Sequence, residues 1–242
     1  MNLFNSRRTA LQLIQWPIAC LVAGLSLDTA FAVPITVANG NFTNPTVGSF
    51  STYTAGGSPD TIDLPGWSIT GSVDQIGSYW EAPPSGGDSL DMNGYDYPGA
   101  ISQTLTISQA GIAAIDFYMA GNPDGLPQTK TMDVTLSPAT GIGSTSFSFT
   151  VTGADTESNM GWVSEQALFK ITDPGLYTLT FTSTSAPSTP PALVDSFGPA
   201  LGGVSASLDV PDGGSTAILL GAGMLGVAGF FWVQKRPSTL RS

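Results

Sequence analysis

The chain reads as an all-β protein, an antiparallel β-sandwich placed between two targeting segments. Three observations predict this. Between Val33 and Asp209 apolar residues recur at every second position, the period of a strand with one buried and one wet face. Charged residues make up only 10% of the chain while it holds 29 glycines and 18 prolines, a mixture that suits short strands and turns better than helices. Each end carries an apolar run beside a basic pair: Leu11–Leu27 follows Arg7 and Arg8, and Ala217–Val233 precedes Lys235 and Arg236.

The first 32 residues form a secretory signal peptide. Ala30-Phe31-Ala32 offers small residues where a signal peptidase needs them, which predicts cleavage before Val33. A lipoprotein signal at Cys20 is the competitor, but Pro17 stands where such a signal has Leu. Cys20 is the only cysteine, so the mature protein can form neither an internal disulfide nor a thiolate metal site. Its stability then rests on a hydrophobic core, which a domain over 33–209 is long enough to build.

Strands are predicted near Trp67 and Val73, then over Ile101–Ile107 and Ile112–Met119. TMDVTL follows with Met132, Val134 and Leu136 inward, and SFSFTV with Phe147, Phe149 and Val151 inward. Val163–Ile171, LYTLTFTS with Tyr177, Leu179 and Phe181 inward, and Val204–Leu208 complete eight to ten strands. Turns are marked by Asn122-Pro-Asp-Gly125 and Asp173-Pro-Gly175. Ser183–Pro191 reads as a long loop, and Ser205–Thr216 as a tether to the C-terminal segment 210–242.

A helix over Ala217–Val233 is about 25 Å long, at the short end of what crosses a bilayer. Lys235 and Arg236 keep its far end cytoplasmic and leave the body outside, the topology that the signal peptide also predicts. The span is preceded by Val210-Pro211-Asp212-Gly213-Gly214-Ser215-Thr216. Motif, helix and basic tail together resemble the PEP-CTERM class of bacterial sorting signals, in the variant that begins Val-Pro-Asp. That resemblance implies an exosortase-type transpeptidase and the secretion machinery as partners, and at least a transient stay in the inner membrane. Pro211 and Gly213-Gly214 keep the motif extended and accessible. The tail runs on to Ser242, longer than such signals usually are, which keeps a simple membrane anchor open as the alternative.

Several phrases of the body carry a second resemblance: GSVDQIGSYW from Gly71, SLDMNGYDYPGAISQTL from Ser89, MAGNPDGLPQTK from Met119, and NMGW from Asn159. With TLTFTSTS and the later GPALGGVSA they resemble the choice-of-anchor C family of exported bacterial proteins. This implies a galactose-binding-like jelly roll. Gly202-Gly203 stands where that pattern leads us to expect an Asp-Asn pair.

Seventeen carboxylates face two lysines, Lys130 and Lys170, between Val33 and Asp212, so an exported body repels phosphates and nucleic acid is excluded as a partner. The chain has no histidine, which removes Ser-His-Asp and Cys-His centres. Paired carboxylates remain as a catalytic device; Asp74, Glu81, Asp88 and Asp91 are near in sequence, and a glycoside hydrolase is the less favoured alternative. Binding is the leading function. Sugars present apolar C–H faces and hydroxyl edges, which an aromatic plate with neighbouring acceptors can hold. Trp67, Tyr79, Trp80, Tyr95, Tyr97 and Trp162 are the aromatic candidates, with Trp67 and Trp162 the more core-like. Tyr79 and Trp80, with one ring expected outward, join Asp88, Asp91, Asn93, Asn122 and Asp124 as the candidate ligand-binding set.

No cofactor is assigned, and calcium held by an irregular jelly-roll loop stays open. Structural calcium is considered at Asp91–Asp96, which fails the EF-hand pattern because Asp96 and Ser102 stand where Gly and Glu are needed. A metal site therefore stays unassigned. The sequence thus points to an exported envelope or extracellular-matrix protein, a non-catalytic module for extracellular polysaccharide. A self-associating structural protein is the alternative.

Overall fold

Residues that alternate in the sequence alternate in space. The computed structural model describes residues 31–54, 64–94, 98–185 and 197–210, and every regular element among them is a strand. They are β1 (Phe31–Ile35), β2 (Phe50–Thr54), β3 (Ser68–Thr70), β4 (Ser72–Ile76) and β5 (Ser89–Asp91). Then come β6 (Ala100–Ile107), β7 (Gly111–Gly121), β8 (Thr129–Ser137) and β9 (Thr140–Ile142). β10 (Ser146–Thr150), β11 (Val163–Ile171), β12 (Gly175–Ser183) and β13 (Pro199–Val210) end the series. Residues 1–30 and 211–242, with the predicted sorting helix, lie outside the described residues, as do Tyr95 and Tyr97. Among the described residues no helix is long and apolar enough to cross a membrane.

Two antiparallel sheets pack face to face. One runs β2-β4-β5-β13-β7-β11-β9 with β1 beside β13; the other runs β10-β8-β12-β6-β3. From β6 to β13 successive strands fall in opposite sheets, the jelly-roll pattern. Every long ladder therefore joins segments distant in sequence: β12 lies between β6 and β8, and β7 between β11 and β13.

The inward residues are those that the alternation predicts. Met132, Val134 and Leu136 of β8 and Tyr177, Leu179 and Phe181 of β12 are buried, and they meet Ile115, Phe117 and Met119 of β7. An aromatic chain crosses this core: Phe42 packs on Trp67, Trp67 on Phe181, Phe181 on Phe117, and Phe117 edge-on against Phe147 at 5.0 Å. Trp67 is fully buried and its Nε1–H donates to Asn39 O at 3.2 Å, so the indole has both a packed body and a bonded tip.

Four strands, β1, β2, β5 and β9, go beyond those predicted, and one expectation is overturned. Ser205–Val210 is no tether but the second half of β13: Ala206 and Leu208 enter the core while the backbone pairs with β7 on one side and β1 on the other. Val210, the first residue of the expected sorting motif, is the last described residue and pairs with Phe31. β1 begins two residues before the predicted cleavage site, and the three residues from Val33 to Ile35 keep their partners Leu208, Ser207 and Ala206. Replacing Trp67 with Ala removes the indole and leaves a cavity beside Phe42 and Phe181, so urea denaturation should show a loss of about 3–5 kcal/mol.

Candidate functional site

The eight-stranded sheet buries both faces at one end. Ile115, Phe117 and Met119 point into the sandwich, yet Ala120, on the opposite face, is fully buried as well. With Ala200, Ile76, Trp80 and Met160 it forms a second, small apolar cluster outside the main core, flanked by Phe149 and the half-buried Trp162. Two loops cover it, 77–88 between β4 and β5 and 151–162 between β10 and β11. They are tied together: Glu81 N–H donates to Glu157 O (2.6 Å), Met160 N–H to Glu81 Oε2 (2.8 Å), and Trp162 Nε1–H to Glu81 O (3.2 Å). Trp80 is anchored beneath them by its Nε1–H to Ser89 Oγ at 2.6 Å.

Gly202-Gly203 makes this packing possible. A Cβ at Gly202 would lie 2.6 Å from Pro83 Cβ, and one at Gly203 only 2.0 Å from Ser85 Oγ. Gly203 also has φ +56° at a break in the β13–β7 register. The departure from the expected Asp-Asn pair is thus filled by the chain's own 83–85 segment.

Above the cluster lies an open groove of about 610 Å³, lined by 78–81, by Pro123 and Asp124 after β7, and by 155–158. Tyr79 stands in it 36% exposed, while Trp80 next to it is 5% exposed and forms the floor. One ring of the pair does face out, through a bend in the 77–80 segment and not through strand alternation. The Tyr79 ring meets Phe50, 52% exposed at the start of the edge strand β2, at 5.7 Å. Its hydroxyl donates to Asp124 Oδ2 at 3.1 Å. Burial of the hydroxyl, then the charges of Asp124 and Glu157 and their hydrogen bonds, push the phenol up to about 12. Asp155 is fixed by Thr152 N–H and Oγ–H (2.6 and 2.8 Å), and Glu81 completes a ring of four carboxylates with no lysine or arginine in the lining.

The other candidate residues lie elsewhere. Asp88 accepts from Nε2 of the buried Gln75 at 2.7 Å and does not line the groove. Asp91, Asn93 and Asn122 are buried beneath the loops. Asp91 Oδ1 accepts from Asn93 N–H (2.9 Å) and Gly198 N–H (3.1 Å), and Oδ2 from Asn122 Nδ2 (2.7 Å). Asn93 donates to Ser185 O and accepts from Ser183 Oγ–H. Lys130 is buried too, with Nζ donating to Gly125 O (2.7 Å) and Phe197 O (2.9 Å). Loop carbonyls of the kind that calcium would use are held here by an ammonium. Among the described residues no three carboxylates come together to hold a metal, and Asp96 lies outside them. Phe50, Asp155 and Glu157 were not singled out in the sequence; an isolated Phe among Gly, Ser and Thr at an edge is the one signal that they carried.

Residues 35–207 match a protein family described as of unknown function, DUF642. The chain belongs to the DUF642 family. The matched span runs from the end of β1 into β13 and contains both loops of the groove. This DUF642 chain is also 34% identical over 96 residues, 37% of its length, to halomucin of Haloquadratum walsbyi, of which it spans 1%. Among solved structures it is similar to a family 35 carbohydrate binding module from Clostridium thermocellum, with a TM-score of 0.39, 13% identity, and coverage of 75% of this chain and 100% of that one. A CBM35 from Paenibacillus barcinonensis gives a TM-score of 0.37 at 18% identity, over 64% of this chain and 97% of that one.

The interior pair makes stability depend on pH in two opposed ways. Burial raises Asp91 from 3.8 to about 7, against the hydrogen bonds from Asn122 and Asn93. Its contribution is therefore complete below about pH 3.8 and is lost as pH rises through 7. Burial lowers Lys130 from 10.5 to about 8, against the charges of Asp91 and Asp124, so its contribution is present above 10.5 and lost as pH falls through 8. The two together place a minimum of stability at pH about 7–8. Urea midpoints measured across pH should show the Asp91→Asn variant with a flatter slope than the parent between pH about 4 and 7.

Proposed function

We propose that this chain is an exported, non-catalytic module that binds extracellular polysaccharide in the groove beside Tyr79. The observation that carries the reading is an exposed tyrosine plate whose hydroxyl is bonded to Asp124, in an open groove wide enough for a sugar ring. The ring offers a face to sugar C–H groups, and the surrounding carboxylates accept from hydroxyls. A hydrolase needs one carboxyl kept protonated as the acid. Asp74 and Asp91, the carboxyls that burial raises, are not among the groove's lining residues.

The targeting segments extend the proposal. The chain is a choice-of-anchor C protein of the bacterial envelope or matrix, sorted by an exosortase that cuts beyond Val210. The pairing of β13 through Val210 supports this, because a cut in Pro211–Ser215 keeps every described pair of β13; removal of residues 1–32 likewise leaves Val33–Ile35 paired.

Two measurements check the reading. Tyr79→Ala, at a position outside both apolar clusters, should leave the unfolding midpoint nearly unchanged and weaken polysaccharide binding by roughly tenfold or more. Mass spectrometry of the native protein should find its C-terminus within Pro211–Ser215; an intact Ser242 overturns the sorting part.

A further inference from the structure

The groove's charge is one-sided. Glu81, Asp124, Asp155 and Glu157 surround Tyr79, and no cation lines the site. Neither lysine of the domain lines it, although the buried Lys130 feels the charge of Asp124 from behind. Lys130 is buried and spends its ammonium on Gly125 O and Phe197 O. Lys170 lies near the end of β11 opposite Ile112, at the other end of the sheet. The groove of about 610 Å³ is on the order of 10 Å across, comparable with the roughly 8 Å over which salt screens charge, so a ligand at its middle lies within about one screening length of the carboxylates that line it.

The second observation is independent of charge. Phe50 is a large apolar ring on the outer side of an edge strand, 52% exposed, where truncation removes little from either core. It stands edge-on to Tyr79 at the mouth of the groove, and the two rings make an exposed aromatic ledge. A ledge of this kind stacks against sugar C–H faces and also attracts cations through its ring faces. Burial first, and then the charges of Asp124 and Glu157, push the phenol of Tyr79 up to about 12, so its hydroxyl stays a neutral donor beside the two carboxylates.

We infer that the groove and the Phe50–Tyr79 ledge select a glycan bearing free amines, an oligomer of glucosamine type, over neutral or uronic chains. This rests on the reading of the groove as a glycan site. A protonated amine neutralises carboxylates that a neutral sugar leaves uncompensated, and a uronate meets repulsion.

Calorimetry on the native secreted protein with three matched oligomers tests it: glucosamine, its N-acetylated form, and galacturonate. The glucosamine oligomer should bind about tenfold tighter than the acetylated one and lose several-fold in affinity at high salt, with the galacturonate oligomer unbound. Glu157→Gln should weaken glucosamine binding about three- to fivefold and acetylated binding by clearly less. Phe50→Ala should weaken both. Equal or tighter binding of the acetylated or uronic oligomer overturns the inference while leaving the groove a glycan site. Binding of none of the three overturns this inference, and a further titration with neutral glucan and galactan oligomers that also finds no binding overturns the glycan reading.

Discussion

The hydrogen bond from Asn122 Nδ2 to Asp91 Oδ2, 2.7 Å long and sealed from water, holds together the end of the sandwich that carries the groove. Asp91 ends β5; Asn122 follows β7; Gly198, which donates to the same carboxylate, leads into β13. Three segments remote in sequence thus share one acceptor. The position is costly, since Asp74 stands directly opposite on β4 and its Oδ1 has no hydrogen-bond partner. The same carboxylate would cost more without its donors, because an unmet buried polar group loses about 1–3 kcal/mol and a charged one more. Asn122 Oδ1 then accepts from Asp124 N–H at 2.9 Å, so the interior bond continues to the carboxylate that meets Tyr79. Lys130 closes the other side of the same turn at Gly125 O.

The jelly-roll order explains why such a clamp is needed. Strands that alternate between sheets leave their connections at the two ends, and each connection must find its own cover. Here the 77–88 and 151–162 loops fold back over the outer face of the larger sheet instead of standing free. Trp80 and Met160 act as their hydrophobic underside, and Gly202-Gly203 lets Pro83 and Ser85 come down onto the strand. The groove is the space left between them once that surface is closed. Its floor is as packed as a core, whereas its walls are polar.

The long strands were legible because a single buried face writes its period into the sequence, as in Met132-Val134-Leu136 and Tyr177-Leu179-Phe181. β5 was not: Ser89, Leu90 and Asp91 are all buried, since the loop cover removes the wet face that would show the alternation. Ser205–Val210 was misjudged as a tether because its outward residues, Ser205, Ser207 and Asp209, have linker composition; Ala206 and Leu208 fix it in the sheet. The site was half legible. Tyr79, Trp80 and Asp124, aromatic and acidic residues named from the sequence, line one groove. Asp91 and Asn122 have the same residue types in similar turns and point inward, a difference set by contacts with Gly198 and the neighbouring strands that no local stretch contains. Glu157 enters only because the 151–162 loop crosses to Glu81, a contact across much of the chain.

The register of β7 gives the molecule a direction. At its first residues it faces Asp209 of β13, where the ladder also joins Phe31 to Val210, so the first and last described residues lie at that end of the sheet. Its last residue, Gly121, leads directly to Asn122 and Asp124 beneath and within the groove. Eleven extended residues separate the two, about 33 Å at the usual rise of a strand. Val210 and the groove therefore lie at opposite ends of the larger sheet. The length of β7 thus sets how far Phe31 and Val210 lie from the groove beside Tyr79.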